Sequence, residues 1–181
     1  MDEKQTVRVS KRLSRVLRHD PESVGITLDD AGWVGVDTLL GALARHGVRV
    51  GRAELDHVVA TNDKRRFAFS EDGLSIRASQ GHSVEVDLGL PPSDPPAVLY
   101  HGTTGRVLEA VFREGLRPMG RRDVHLSVDT GTAVRVGSRH GRPVVLAVDA
   151  AAMAADGHEF RVSANGVWLT DAVPARYLRT A

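Results

Sequence analysis

Between Pro91 and Pro96 the sequence reads Pro-Pro-Ser-Asp-Pro-Pro, and this stretch limits the possible folds more than any other. Proline has no backbone N–H and a fixed φ, so such a run can neither continue a helix nor sit inside a sheet. The chain is therefore divided, and the residues on each side must build their own core. We place the join in a linker of about 79–96, which also holds a short alternating stretch from Val84 to Leu88. That gives an N-terminal lobe at 1–90 and a C-terminal lobe at 97–181, with no internal repeat between them. With 181 residues, 41% of them hydrophobic, there is apolar material for two small cores.

The first lobe opens on a helix. Val9, Leu13, Val16 and Leu17 recur at helical spacing, while Lys11, Arg15 and Arg18 fall on another face. Pro21 disfavours the helical region for Asp20 and ends the run, so Arg18 and His19 stand in its last turn. A guanidinium binds phosphate oxygens in bidentate fashion, and an imidazole near neutral pH can donate to phosphate or move a proton. The pair is thus a candidate phosphate grip. Taken alone, it reads more simply as a solvated helix cation beside a histidine favoured by the helix dipole.

Further on, Asp29-Asp30-Ala31-Gly32 signals a turn before a short β-like Trp33-Val34. Asp37 is a suitable N-cap for a helix carrying Leu39, Leu40 and Leu43, and Gly47 closes it. A third helix is expected from about Arg52 to Thr61, and the alternation around Glu71-Asp72-Gly73 predicts a β-hairpin. Arg66 opens a strand with Phe67 and Phe69, so the pleat would fix its direction, whereas Lys64 and Arg65 read as solvated surface. Three short helices and a hairpin suggest a winged-helix unit, a shape often used to hold nucleic acid.

The formal net charge of +1 argues against a bulk electrostatic nucleic-acid binder and leaves phosphate recognition to local clusters such as the basic first helix. Absence of cysteine excludes disulfides, thiolate nucleophiles and thiolate metal sites. No apolar run reaches membrane-spanning length and no signal peptide is visible, so the expectation is a cytoplasmic protein without a membrane partner.

In the second half, a buried-type strand at Ala97 to Tyr100 runs into His101-Gly102-Thr103-Thr104-Gly105. A helix through Val107 to Phe112, a strand at Val124 to Ser127, a helix from Thr132 to Val136 and a strong strand at Pro143 to Val148 follow. Many short strands with few helices argue for an α+β lobe rather than a doubly wound sheet. There is no P-loop, dinucleotide fingerprint, nucleophile elbow or paired-histidine zinc spacing. What remains is His101-Gly102-Thr103, where glycine would let a ligand approach the backbone, and His125-Leu126-Ser127, whose outer residues share a strand face. Each histidine alone reads as a satisfied core or edge residue; together with Arg139 they begin to form a site.

Taken in order, eight blocks resemble the signature of the RNA 2′-phosphotransferases. They are Leu17-Arg18-His19-Asp20-Pro21, the Asp-Ala-Gly-Trp turn at 30–33, Asn62-Asp63-Lys64-Arg65-Arg66-Phe67, Gln80-Gly81-His82-Ser83, Tyr100-His101-Gly102-Thr103, Val124-His125-Leu126-Ser127, Ser138-Arg139-His140-Gly141 and Asn165-Gly166-Val167-Trp168-Leu169-Thr170. They run from about Ser10 to Pro174. That family is best known for removing the splice-junction 2′-phosphate of tRNA.

The resemblance implies a winged-helix RNA-binding lobe followed by an ADP-ribosyltransferase-like lobe that binds NAD, consumed as co-substrate, with no metal. It implies Arg18, His19, Arg66 and Arg139 as the catalytic set, which overturns the simpler reading of the first two. His101, Gly102, Thr103, His125, Leu126 and Ser127 fall to the cofactor pocket. The position often held by glutamate in protein-modifying ADP-ribosyltransferases falls in the apolar Val167-Trp168-Leu169, which speaks against modification of a protein side chain. The implied reaction moves an internal RNA 2′-phosphate to NAD in two steps, through an ADP-ribosylated RNA phosphate. Its products are 2′-OH RNA, nicotinamide and ADP-ribose 1″,2″-cyclic phosphate. The expected partner is RNA bearing a 2′-phosphate, tRNA-like or other, and the expected state is a monomer. Two alternatives use the same residues: an ADP-ribosyltransferase that caps phosphorylated nucleic-acid ends, and a non-catalytic winged-helix regulator that senses a nucleotide.

Overall fold

The computed structural model describes residues 1–181, which separate into two units, Met1–Gly89 and Leu90–Ala181. In the first, helix α1 (Glu3–Arg18) starts where Asp2 accepts from the Gln5 backbone N–H at 2.7 Å while Gln5 accepts from the Asp2 N–H at 3.1 Å. This reciprocal cap satisfies donors a helix start otherwise leaves orphaned. Val9, Leu13, Val16 and Leu17 face the core, and the helix stops ahead of Pro21, which opens a short 3-10 turn. Arg18 departs from its expected solvated face, since only 8% of it is exposed.

Strand β1 (Val34–Gly35) leads into α2 (Val36–Arg45); α3 (Arg52–Ala60) is followed by the hairpin of β2 (Phe67–Phe69) and β3 (Ser75–Ala78). The three strands form an antiparallel sheet in the order β1-β3-β2, with Val34 opposite Ile76 and Phe67 opposite Ala78. Gly73, at φ 69°, supplies the left-handed residue of the hairpin turn. Leu39, Leu43, Leu55 and Ile76 close the core over α1. Each such side chain, fully buried, contributes about 1.5–3 kcal/mol.

Two local expectations are corrected. Gly35, not Asp37, is the N-cap of α2: the helix starts at Val36, whose N–H donates to the Leu74 carbonyl at 2.8 Å, leaving Asp37 in the first turn without a capping bond. The alternation from Val84 to Leu88 forms no strand. Instead, the segment after β3 packs onto the first unit, with Ser79, Gln80, His82 and Val86 buried.

The second unit is built from β4 (Val98–Thr104), α4 (Leu108–Glu114), β5 (Val124–Leu126), α5 (Thr130–Gly137), β6 (Pro143–Asp149), α6 (Ala150–Ala155), β7 (Arg161–Val162), β8 (Trp168–Thr170) and β9 (Leu178–Thr180). They make two antiparallel sheets, β4-β6-β9 and β5-β8-β7, so the fold class is α+β. Tyr100 and Ser127 exchange backbone hydrogen bonds of 2.8 Å each, which stitches β4 to the end of β5. Asp129 caps α5 by accepting from the Thr132 N–H at 2.7 Å, and α5 lies directly against β4. Leu99, Leu126, Leu146, Met153 and Phe160 fill the core. No helix of either unit is long and apolar enough to cross a membrane.

Candidate active site

In the first unit, the exposed face of α1 and the segment after α3 enclose a cleft of about 570 Å³. Arg18, His19 and Arg66 all line it, so three of the four residues expected to act on phosphate meet in one place. Lys11, Arg15 and Lys64 line it too, against the single carboxylate of Asp63. That excess of positive charge in a concave site favours an anion.

Each of the three reaches the cleft differently. Arg18 belongs to the last turn of α1 and is withdrawn from water; His19 is the residue at which the helix ends. The ring Nδ1 of His19 lies 2.9 Å from the Ser83 hydroxyl. Arg66 is not aimed by the pleat, because it stands one residue ahead of β2. It is aimed by Asn62, whose Oδ1 accepts from the Arg66 backbone N–H at 3.3 Å and from its Nη1 at 3.4 Å. Asn62 in turn donates through Nδ2 to Ser10 Oγ at 3.1 Å, tying this segment back to α1.

Between the two, Arg65 adopts φ 41°, a left-handed conformation rare outside glycine. It is held there by a 2.8 Å bond from its N–H to the Asn62 carbonyl and another from the Ser79 hydroxyl to its own carbonyl. Backbone strain of this kind costs about 1–3 kcal/mol and persists where the surroundings over-determine it.

In the second unit, His101 on β4 donates from Nδ1 to the His125 carbonyl at 3.0 Å. Burial holds the His101 imidazole below its ordinary range, with the charge of Arg121 acting the same way; the bond to His125 opposes both without cancelling them. A neutral ring that donates at Nδ1 is an acceptor at Nε2. His125 carries the opposite tautomer: Arg121 Nη1 donates to its Nδ1 at 2.7 Å, which requires a lone pair there and places the proton on Nε2. Desolvation and the nearby charge of Arg139 lower the Arg121 guanidinium below the usual arginine range. Arg121 and Arg139 therefore share one neighbourhood, the latter from the 3-10 turn Ser138–His140.

The other candidates of this unit divide. His125 and Ser127 share a face, while Leu126 between them is a core residue whose side chain is 1% exposed. Thr103 continues β4 opposite Val144. Gly102 has a packing role visible in the fold. It faces α5, where an added Cβ would stand 1.8 Å from the Ala133 carbonyl oxygen.

A family model described as "RNA 2'-phosphotransferase, Tpt1 / KptA family" matches residues 4–172. The chain belongs to this family. Among curated relatives, a Streptomyces coelicolor protein named "Probable RNA 2'-phosphotransferase" is 64% identical over 179 residues, covering 99% of this chain and 97% of the relative. Proteins of the same name from Streptomyces griseus and Agrobacterium fabrum are 63% and 59% identical, covering 98% and 93% of this chain and 98% and 91% of theirs.

Two residues of this RNA 2′-phosphotransferase family member escaped sequence reasoning as individuals. Asn62 sits inside a recognised block, but its aiming of Arg66 depends on a turn that only the left-handed Arg65 creates. Arg121 lies outside every block, and its signal was only its place four residues ahead of His125.

Proposed function

We propose that this protein is an NAD-dependent RNA 2′-phosphotransferase, with the first unit a winged-helix RNA lobe and the second an ADP-ribosyltransferase-like lobe that takes NAD. The observation that carries the reading is the meeting of Arg18, His19 and Arg66 around one basic cleft. The order helix, strand, two helices and hairpin, closed as the sheet β1-β3-β2, supports the first assignment. Two small antiparallel sheets joined at Tyr100 and Ser127 support the second.

The residues of the second unit fit a dinucleotide. His101 Nε2, as an acceptor, suits a ribose hydroxyl, and the Arg121 and Arg139 guanidinium groups suit phosphate oxygens. NAD, when bound, supplies the ADP-ribosyl group that accepts the RNA phosphate. An RNA 2′-phosphate is already ionised, so the first step needs orientation and charge neutralisation rather than a general base, and Arg18 and Arg66 provide both. In the second step the adjacent ribose 2″-hydroxyl attacks the phosphorus, its proton passing to solvent, and charge builds on the phosphoryl oxygens as the RNA 2′-oxygen leaves. The arginines offset that charge, and His19 protonates the leaving oxygen.

The test is a metal-free incubation with a short RNA carrying an internal 2′-phosphate, with and without NAD, following both RNA and nucleotide. NAD-dependent conversion to 2′-OH RNA with release of ADP-ribose 1″,2″-cyclic phosphate is expected, and His19→Ala should accumulate ADP-ribosylated RNA. Intact RNA phosphate bearing ADP-ribose in the unmutated protein would replace this reading with end-capping. No nicotinamide release with any phosphorylated RNA would leave nucleotide sensing.

A further inference from the structure

We propose that Ser83 is a positioning residue for His19: its hydroxyl holds the imidazole by Nδ1, so that Nε2 is the nitrogen that delivers the proton. The proposal rests on the acid role of His19 given above. His19 ends α1, with backbone φ −127° and an exposed ring. A side chain of this kind samples several rotamers unless a partner selects one.

Ser83 is such a partner, 64 residues away in sequence and brought there by the packed segment that follows β3. Four contacts fix the relation between the two. The Ser83 backbone N–H donates to the Arg18 carbonyl at 2.8 Å, with Val84 N–H at 3.3 Å on the same oxygen, so the segment is pinned to the last turn of α1. The Ser83 hydroxyl then stands 2.9 Å from His19 Nδ1 and 3.5 Å from the Arg18 carbonyl.

That placement suits a proton donor in a way a carboxylate would not. A hydroxyl is both donor and acceptor. While His19 is charged, Nδ1–H donates to the Ser83 oxygen and the hydroxyl proton turns toward the Arg18 carbonyl. Once Nε2 has given up its proton, the same arrangement keeps the proton on Nδ1. The bond survives the transfer without a charge that would hold the imidazolium form, as an aspartate at this place would do. His19 lines the same cleft as Arg18 and Arg66, and with Nδ1 taken by Ser83 the ring nitrogen left for a ligand is Nε2.

The experiment compares the full-length protein with Ser83→Ala and Ser83→Thr. It reads nitrogen chemical shifts of the His19 ring, assigned by difference with His19→Ala, and the single-turnover rates of the two steps. Ser83→Ala keeps the backbone bonds to Arg18, so its melting temperature should match the parent. Its ring nitrogens should shift toward a tautomer mixture, and its second step should slow about tenfold, the scale of one hydrogen bond to a charged group. The first step should be little changed. Ser83→Thr, which retains the hydroxyl, should restore both readouts. Unchanged ring signals in Ser83→Ala, or a Ser83→Thr variant as slow as Ser83→Ala, would overturn the proposal. A His19→Ala variant that completes the second step at the parent rate would instead sink the acid role of His19, an outcome read independently of the ring signals.

Discussion

Gly102→Ala should unfold the second unit at a much lower temperature, and the reason is packing rather than ligand access. The new Cβ would stand 1.8 Å from the Ala133 carbonyl oxygen, 2.7 Å from its carbon and 2.9 Å from the Gly137 nitrogen. The first of these is about 1.5 Å inside ordinary contact, and every atom met is backbone of α5, which cannot rotate away as a side chain could. Helix α5 must therefore move off β4, opening the contact that Gly137 also makes possible, since a Cβ there would meet the Thr103 carbonyl at 2.8 Å. Overpacking of this kind costs about 3 kcal/mol, the upper end of the usual range. Against it stands a gain of roughly 0.5–1 kcal/mol for replacing glycine inside a strand. The net loss corresponds to a fall of about 10–20 °C in the transition of a unit this size. Calorimetry or circular dichroism on Gly102→Ala would read it, with Gly105→Ala as control because nothing lies within 4 Å of its added Cβ. A Gly102→Ala protein that melts at or above the parent temperature, yet binds NAD poorly, would refute the packing argument and restore ligand approach as the role of this glycine.

Two further outcomes follow from the site geometry. Asn62→Ala removes both hydrogen bonds that aim Arg66, together with the tie to Ser10, and should reduce turnover about fivefold, the equivalent of one net hydrogen bond, while lowering the melting temperature by several degrees; full turnover would show that Arg66 is aimed by other means. His101 binds its proton less tightly when folded than when unfolded. Below about 6.5 the unfolded chain therefore takes up a proton that the native state refuses, and the stability this buried neutral ring permits is lost as pH falls from that value toward the folded pKa. Urea titrations should show the stability of the parent falling faster than that of His101→Asn between pH 7.5 and 5.5; parallel losses would refute the assignment.

The sequence carries the first unit's architecture in local chemistry, which is why so much of it is legible. Apolar spacing in α1, the stop at Pro21, the turn at Asp29 and the Asp-Gly hairpin each depend on neighbours within a few residues. The misreadings share a different cause. Asp37 loses its capping place because the Leu74 carbonyl, from another element, takes the Val36 N–H. The packing of Gly102 against α5 has no local signal, and β9 is too short to announce itself before β6 offers a partner. Periodicity alone puts Arg18 on a solvated face, but the residue is withdrawn from water at the turn where the segment around Ser83 docks on its carbonyl.

The same distinction explains how the candidate site is assembled. Its reactive groups sit in blocks that can be read directly, but the atoms that orient them come from far along the chain: Ser83 beside His19, and Ser10 behind Asn62. A cleft lined by Lys11, Arg15, Arg18, Lys64 and Arg66 brings like charges together, which raises the energy of the folded chain in the absence of an anion. A left-handed Arg65 adds backbone strain at the same spot. A ligand carrying concentrated negative charge offsets the repulsion while meeting an Arg66 whose direction is already set. A terminal phosphate has that charge on an unhindered group, whereas a backbone phosphodiester carries a single charge between two bulky sugars, so RNA carrying a 2′-phosphate is expected to outcompete the same RNA without it in a binding titration.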